Sequence, residues 1–190
     1  MQEIEILVRV NNDFSTAHEN LKRHGQEDHV AKIRDVYLVD PLRPNLAQDE
    51  KGNLKEALRI RETEKGCTLT YKLDCFDVTT GAWTHSEEHE VDIADAQKGL
   101  QIFYKLGFQE VVVVNVEKYY FTTPLYKIAL ERVEDLGLFM EVEAHQVSDE
   151  RNVAKVRNDI ANFIEKLNLN VSADVGIGKP ELLLRQRQQK

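Results

Sequence analysis

Two pairs of glutamates stand out for chemistry in this 190-residue chain: Glu3 with Glu5, and Glu141 with Glu143. Each pair is interleaved with apolar residues, Ile4, Ile6, Val8 and Val10 around the first, Leu138, Met140 and Val142 around the second. That period of two belongs to a β-strand, so the carboxylates of each pair share one face. Like charges at that spacing repel unless water or a cation lies between them. The acidic faces therefore border bulk solvent or a hard divalent metal, which takes carboxylate oxygen. Arg59 and Arg61, alternating with Leu58 and Ile60, form the opposite device, a strand face suited to anions. Over residues 67–75, Cys67, Leu69, Tyr71 and Leu73 take one face while Thr68, Thr70, Lys72 and Asp74 take the other. Further on, Glu88 and Glu90 share a face.

Alternation predicts strands over 1–10, 32–40, 57–64, 67–75, 84–92 and 108–121 as the elements that hold these residues. A hairpin follows over 128–143, with turn chemistry at 135–137. In the strand over 108–121, Val112, Val114 and Val116 form one face and Val111, Val113, Asn115 and Glu117 the other. Thr16 with Glu19 suits a capping box for a short helix ending near Gly25, and Asp95 an N-cap for a helix stopped at Gly107. Ser148 precedes an amphipathic helix carrying Val153, Val156, Ile160, Phe163, Ile164 and Leu167, and Pro180 opens a last helix over 181–187. Residues 41–55 read as a long loop. Eight strands suffice to close a barrel. Periodicity leaves two arrangements open, a single sheet on helices with its charged face in water, or a closed sheet whose charged faces line a lumen.

Composition narrows the function classes. With 42% hydrophobic and 31% charged residues, a single globular domain over 1–190 is expected. The net charge of -8 argues against general nucleic-acid binding, which depends on a basic surface. No apolar run is long enough to span a bilayer, and the N-terminus has neither a basic n-region nor an apolar h-region, so a cytoplasmic protein without membrane contact is expected. Self-association is left open. Cys67 and Cys75, eight apart on one strand, lie roughly 26 Å apart, which forbids an internal disulfide. They lack a CxxC spacing or a pairing histidine nearby, so zinc or nucleophilic roles have little support from the sequence. His85 and His89, roughly 13 Å apart along a strand, do not share one ion. Gly176-Ile177-Gly178-Lys179 lacks the Walker spacing and reads as a turn.

Taken in order, Glu3-x-Glu5, Leu58-Arg59-Ile60-Arg61, Leu69-Thr70-Tyr71-Lys72, Glu88-x-Glu90 and Leu130-Glu131-x-Val133-x-x-Leu136-Gly137-x-Phe139-x-Glu141-x-Glu143 resemble the CYTH superfamily. Its members are class IV adenylyl cyclases, thiamine triphosphatases and related triphosphate tunnel metalloenzymes. The resemblance implies an α+β fold, a closed antiparallel eight-stranded β-barrel forming a tunnel, with helices on the outside. It also implies that Glu3, Glu5, Glu141 and Glu143 hold Mg²⁺ or Mn²⁺ with Glu88, Glu90 and Glu131 nearby, and that Arg59, Arg61 and Lys72 grip phosphate oxygens. ATP, thiamine triphosphate or inorganic triphosphate would be the ligand, attacked by a ribose hydroxyl in a cyclase or by water in a triphosphatase.

The chain also departs from that pattern. Leu7 stands at the lysine of Glu-x-Glu-x-Lys, Ser86 at the arginine before Glu88, and Asn115 and Glu117 at a Lys-x-Arg motif. A charge-assisted hydrogen bond contributes roughly 1.5–3 kcal/mol, so losing three weakens triphosphate binding by roughly 5–9 kcal/mol. Arg9, sharing a face with Glu3 and Glu5, and Lys127, sharing one with Glu131, are the candidate replacements for phosphate binding. Two outcomes follow: an active metal-dependent enzyme, or the same barrel kept as a catalytically inactive phosphate-ligand binding protein or interaction scaffold.

Overall fold

The computed structural model describes residues 2–47, 49–50, 53–76, 79, 83–145 and 153–188. Ten strands form one antiparallel sheet: β1 (Gln2–Glu3), β2 (Glu5–Val10), β3 (Gln26–Val39), β4 (Glu56–Thr63), β5 (Gly66–Phe76), β6 (Trp83–Ile93), β7 (Gln109–Thr122), β8 (Tyr126–Val133), β9 (Gly137–Ala144) and β10 (Val171–Asp174). Their order is β1-β6-β5-β4-β3-β7-β8-β9-β2-β10. The two ends of this order meet in one piece of chain, because β1 pairs with β6 and β2 with β9, only Ile4 intervening. Counting β1 and β2 as one strand, eight strands close round a lumen, and β10 extends the ladder from β2. The expected eight-stranded tunnel is thus the observed architecture.

Helices cover the outside. α1 (Phe14–His24) and α3 (Val153–Lys166) pack Leu21, Val156, Ile160 and Ile164 on the outer apolar row of β2, β8 and β9, which holds Ile4, Ile6, Val8, Ile128, Leu130, Met140 and Val142. α2 (Ala96–Lys105) sets Ala96 and Leu100 on Val36, Leu38, Leu58 and Ile60. Gly99 allows that approach: a Cβ there would stand 3.0 Å from Ile60 and 3.1 Å from Ile93. The β8–β9 turn uses Asp135 at φ 64° and Gly137 at φ 98°, the left-handed backbone a tight reversal needs. The cap of α1 is Asp13, whose carboxylate accepts from the Thr16 backbone N–H at 2.9 Å and hydroxyl at 2.7 Å. The expected Thr16 cap is corrected by three residues. Ser148 lies outside the described residues.

A third apolar cluster is inside the barrel. Leu7, Ile33, Tyr37, Val112, Val114, Val116, Val133 and Phe139 meet Leu183 and Leu184 of α4 (Lys179–Gln188). This last helix closes one end of the tunnel. Leu54, in the stretch read as loop, is buried in the same cluster.

Candidate functional site

Because inward residues recur every second position, the polar rows of the strands converge on one cavity of about 770 Å³. It is lined by Glu5, Glu88, Glu90, Glu141 and Glu143 among the acids, and by Arg59, Arg61, Lys72 and Lys127 among the bases. Glu131 is fully buried beneath it. Of the expected metal ligands, Glu3 is placed by its backbone alone, opposite Ser86 at the β1–β6 seam.

The arginines are rigidly held. Asp35 accepts from Arg61 Nε and Nη2, both at 2.7 Å. It also lies 3.8 Å from Arg59, which pairs further with Glu88 at 3.9 Å and Glu90 at 3.5 Å and hydrogen-bonds to Tyr37. Burial opposes the charge of Asp35, yet the Arg61 fork outweighs it and keeps the carboxyl below its ordinary range. Arg59 Nε is buried with no hydrogen-bond partner. A buried guanidinium N–H of that kind is a donor awaiting an acceptor. Lys72 stands 2.9 Å from Glu88 and 3.6 Å from Glu5.

On the opposite wall two lysines share the acidic centre: Lys118, which the sequence does not single out, and Lys179, expected only as part of a turn. Lys118 meets Glu131 at 2.5 Å and Glu141 at 3.4 Å, and Lys179 meets each of them at 2.6 Å. Burial disfavours charge on Glu141, but Lys118 and then Lys179 overcome it and hold that carboxyl well below its usual value. Glu5 goes the other way, raised first by burial and then by Glu141. The two neighbouring carboxyls thus differ because the lysines stand against Glu141 and not against Glu5 in equal measure.

Several expected placements are corrected. Arg9 does not line the cavity: its Nη1 donates to the Leu136 carbonyl at 2.5 Å and its guanidinium stacks 4.6 Å over Phe139, pinning the β8–β9 turn. Asn115 and Glu117 face outward, Asn115 donating to Glu134 at 2.6 Å and Glu117 pairing with Arg132 at 3.4 Å. They leave no cation missing from the lumen. The inward row of β7 is Val114, Val116, Lys118 and Tyr120. Leu7 does sit in the tunnel wall, and Ser86 is buried with its hydroxyl donating to Asp74 at 2.7 Å. Lys127 is at the rim, largely exposed and 3.6 Å from Glu143.

A CYTH domain model matches residues 1–174. The chain belongs to the CYTH family. A Methanocaldococcus jannaschii protein named as a candidate adenylate cyclase is 33% identical over 186 residues, covering 97% of this chain and 99% of that one. A solved Pyrococcus horikoshii protein superimposes with a TM-score of 0.80 at 25% identity, covering 97% and 99% of the two chains. A Hippeastrum protein, described as an adenylyl cyclase candidate with a dominant triphosphatase activity, gives 0.67 at 17% identity over 98% and 96%. No helix among the described residues is long and apolar enough to cross a membrane.

Proposed function

We propose that this CYTH barrel binds a divalent cation together with a small-molecule triphosphate in its tunnel and cleaves a phosphoanhydride bond. The observation that carries this reading is the unpartnered Arg59 Nε, buried beside Arg61 and Lys72 and across one cavity from Glu5, Glu141 and Glu143. The donor set fits Mg²⁺ or Mn²⁺, because it is all carboxylate. The described lining carries ten acidic against eight basic side chains, so a polyanion enters such a lumen favourably only with a cation. When bound, the metal supplies Lewis-acid neutralisation of charge on the phosphoryl group. Glu5, Glu141 and Glu143 would hold it. Arg59, Arg61 and Lys72 bind and orient the phosphate oxygens, with Lys118 and Lys179 close enough to join once Glu141 turns to the metal. The walls are strands, so the grip is preorganised. The nucleophile is water for a triphosphatase and a ribose hydroxyl for a cyclase, and the names of the relatives point to both.

The experiment is to incubate purified protein with ATP, inorganic triphosphate or thiamine triphosphate and Mg²⁺ or Mn²⁺. Released phosphate marks hydrolysis, and cyclic AMP with pyrophosphate marks cyclisation. Loss of that turnover in Arg59→Ala and Glu141→Gln is expected, and turnover unchanged in both would overturn the reading. A second reading, binding without turnover, is favoured by Leu7 in the tunnel wall. It predicts no product from any of the three substrates, yet metal-dependent thermal stabilisation by pyrophosphate.

A further inference from the structure

On the outer face of the β5–β6 ladder lies a second group of ligating side chains, remote from the lumen. Cys75 pairs across the ladder with His85, while Glu87 pairs with Leu73 and so stands diagonal to Cys75. The alternation that turns Asp74, Ser86 and Glu88 inward turns Cys75, His85 and Glu87 outward together. One sulfur, one ring nitrogen and one carboxylate oxygen from these three lie within 4.8 Å of one another. Neither cysteine has a histidine beside it along the chain. Cys75 finds one across the hairpin, ten positions away, which supplies the histidine that the sequence does not place near it.

The donor types select the ion. A thiol with an imidazole and a single carboxylate suits a borderline cation of the zinc kind, whereas Mg²⁺ and Ca²⁺ take oxygen alone. Three protein ligands leave the fourth tetrahedral position to water. Bonds of about 2.0–2.3 Å separate tetrahedral donors by about 3.3–3.7 Å, so the side chains close by no more than about 1.5 Å, within the reach of rotamer adjustment on a fixed ladder. Cys75 and His85 are half-buried and Glu87 is exposed, so the ion has a route from solvent and a partly desolvated seat. Burial, and then the carboxylates of Glu87 and Asp74, push the Cys75 thiol up. The same negative surroundings that oppose a bare thiolate favour a bound dication.

We propose that Cys75, His85 and Glu87 form a site for a zinc-like transition-metal ion, distinct from the tunnel in position and in metal preference. Loading releases the Cys75 proton to solvent and forms a metal–sulfur bond, with His85 nitrogen and Glu87 oxygen as the other protein ligands. The bound ion cross-links β5 to β6 beside the segment that joins them.

The test uses the full chain stripped with a chelator and titrated with Co²⁺. Thiolate-to-cobalt charge-transfer absorption saturating at a single equivalent per chain, and erased by Zn²⁺, is expected. Cys75→Ser removes that band, and Cys67→Ser and Glu141→Gln keep it. Absence of the band, its survival in Cys75→Ser, or its loss in Cys67→Ser would each overturn the site. Bleaching by excess Mg²⁺ would contradict the preference for a zinc-like ion and have the same effect. Should Cys75→Ser fold poorly, Zn²⁺ affinity of His85→Gln, read by competition with a chromophoric chelator, falls by at least roughly tenfold if the site is real. Unchanged affinity there refutes it. None of these readouts depends on triphosphate turnover, so failure of the outer site leaves the tunnel reading standing.

Discussion

Lys118 and Lys179 share two carboxylates, Glu131 and Glu141, at distances between 2.5 and 3.4 Å, and each lysine is held in its charged form by that pairing against the pull of burial. Removing one cation from a buried cluster leaves an uncompensated charge, which costs about 3–5 kcal/mol. Lys179→Met is therefore expected to lower the unfolding free energy of the metal-free protein, measured by urea denaturation, by that amount, and saturating Mg²⁺ to recover most of it by replacing the ammonium at Glu141. No recovery with Mg²⁺ would argue that Glu141 is not a metal ligand. Glu181, at the first turn of α4, behaves differently. Burial, the main cause, raises its pKa from the ordinary carboxyl value to about 7, and Oε2 has no hydrogen-bond partner. A carboxyl whose folded pKa exceeds its unfolded one contributes stability below the unfolded value and loses it as pH rises through the folded value. The window here runs from about pH 4.5 to about 7, and the loss across it is roughly 3 kcal/mol. Thermal unfolding of the native protein is expected to shift down across that window, and Glu181→Gln to flatten the profile. An unchanged slope in the variant would assign the pH response to other groups.

The two elements that matter most to the lumen, β7 and α4, were the least legible in the chain. Where a strand alternates cleanly, as β2, β4, β5 and β9 do, the charged face is legible and the family resemblance turns it inward, where Glu5, Arg59, Arg61, Lys72, Glu141 and Glu143 line one cavity. In β7 the run Val111 to Val114 is apolar on both sides, since one face meets α2 and the other lines the barrel, so period alone does not say which is inside. Asn115 and Glu117, which the resemblance aligns with the Lys-x-Arg motif, are on the outer face, and Lys118 is on the inner one. Arg9 has the right parity but sits at the plugged end, where Phe139 and the Leu136 carbonyl take its guanidinium. For α4 the obstacle is different. Its apolar residues, Leu183 and Leu184, face the inside of a barrel rather than an outer sheet, and nothing local to Lys179-Pro180-Glu181 marks a helix that enters a lumen. Truncating either leucine tests that role. Leu183→Ala is expected to cost about 2–4 kcal/mol of stability, the range for a buried leucine that leaves a cavity, whereas Ile102→Ala on the exposed side of α2 costs little. Equal effects of the two would mean that α4 does not pack as a plug.

At the scale of the whole molecule, a chain with net charge -8 binding a polyanion requires charge to be gathered and compensated locally. The barrel does the gathering: it folds Arg59, Arg61, Lys72, Lys118 and Lys179 inward from β4, β5, β7 and α4, where low surrounding polarity strengthens each contact. The compensation is incomplete while the acids outnumber the bases, so the proposed function requires metal and triphosphate binding to be interdependent. On that reading metal would reduce the acidic surplus that repels phosphate, phosphate would supply oxygen ligands to the metal, and each would tighten the other by the same factor. Thermal denaturation of chelator-treated protein resolves this into four arms. Pyrophosphate alone is expected to leave the melting temperature unchanged, and Mg²⁺ alone to raise it slightly. The two together are expected to raise it by more than the sum. At ligand concentrations near a hundredfold above the dissociation constant the stabilisation is about 2.7 kcal/mol, which for a chain of this size corresponds to roughly 5–10 °C. Arg59→Ala and Arg61→Ala should reduce the combined shift while leaving the Mg²⁺ arm intact, because they touch the phosphate and not the metal. Additive shifts, or a pyrophosphate shift that ignores Mg²⁺, would mean that the carboxylates of β2 and β9 and the guanidiniums of β4 do not serve one ligand.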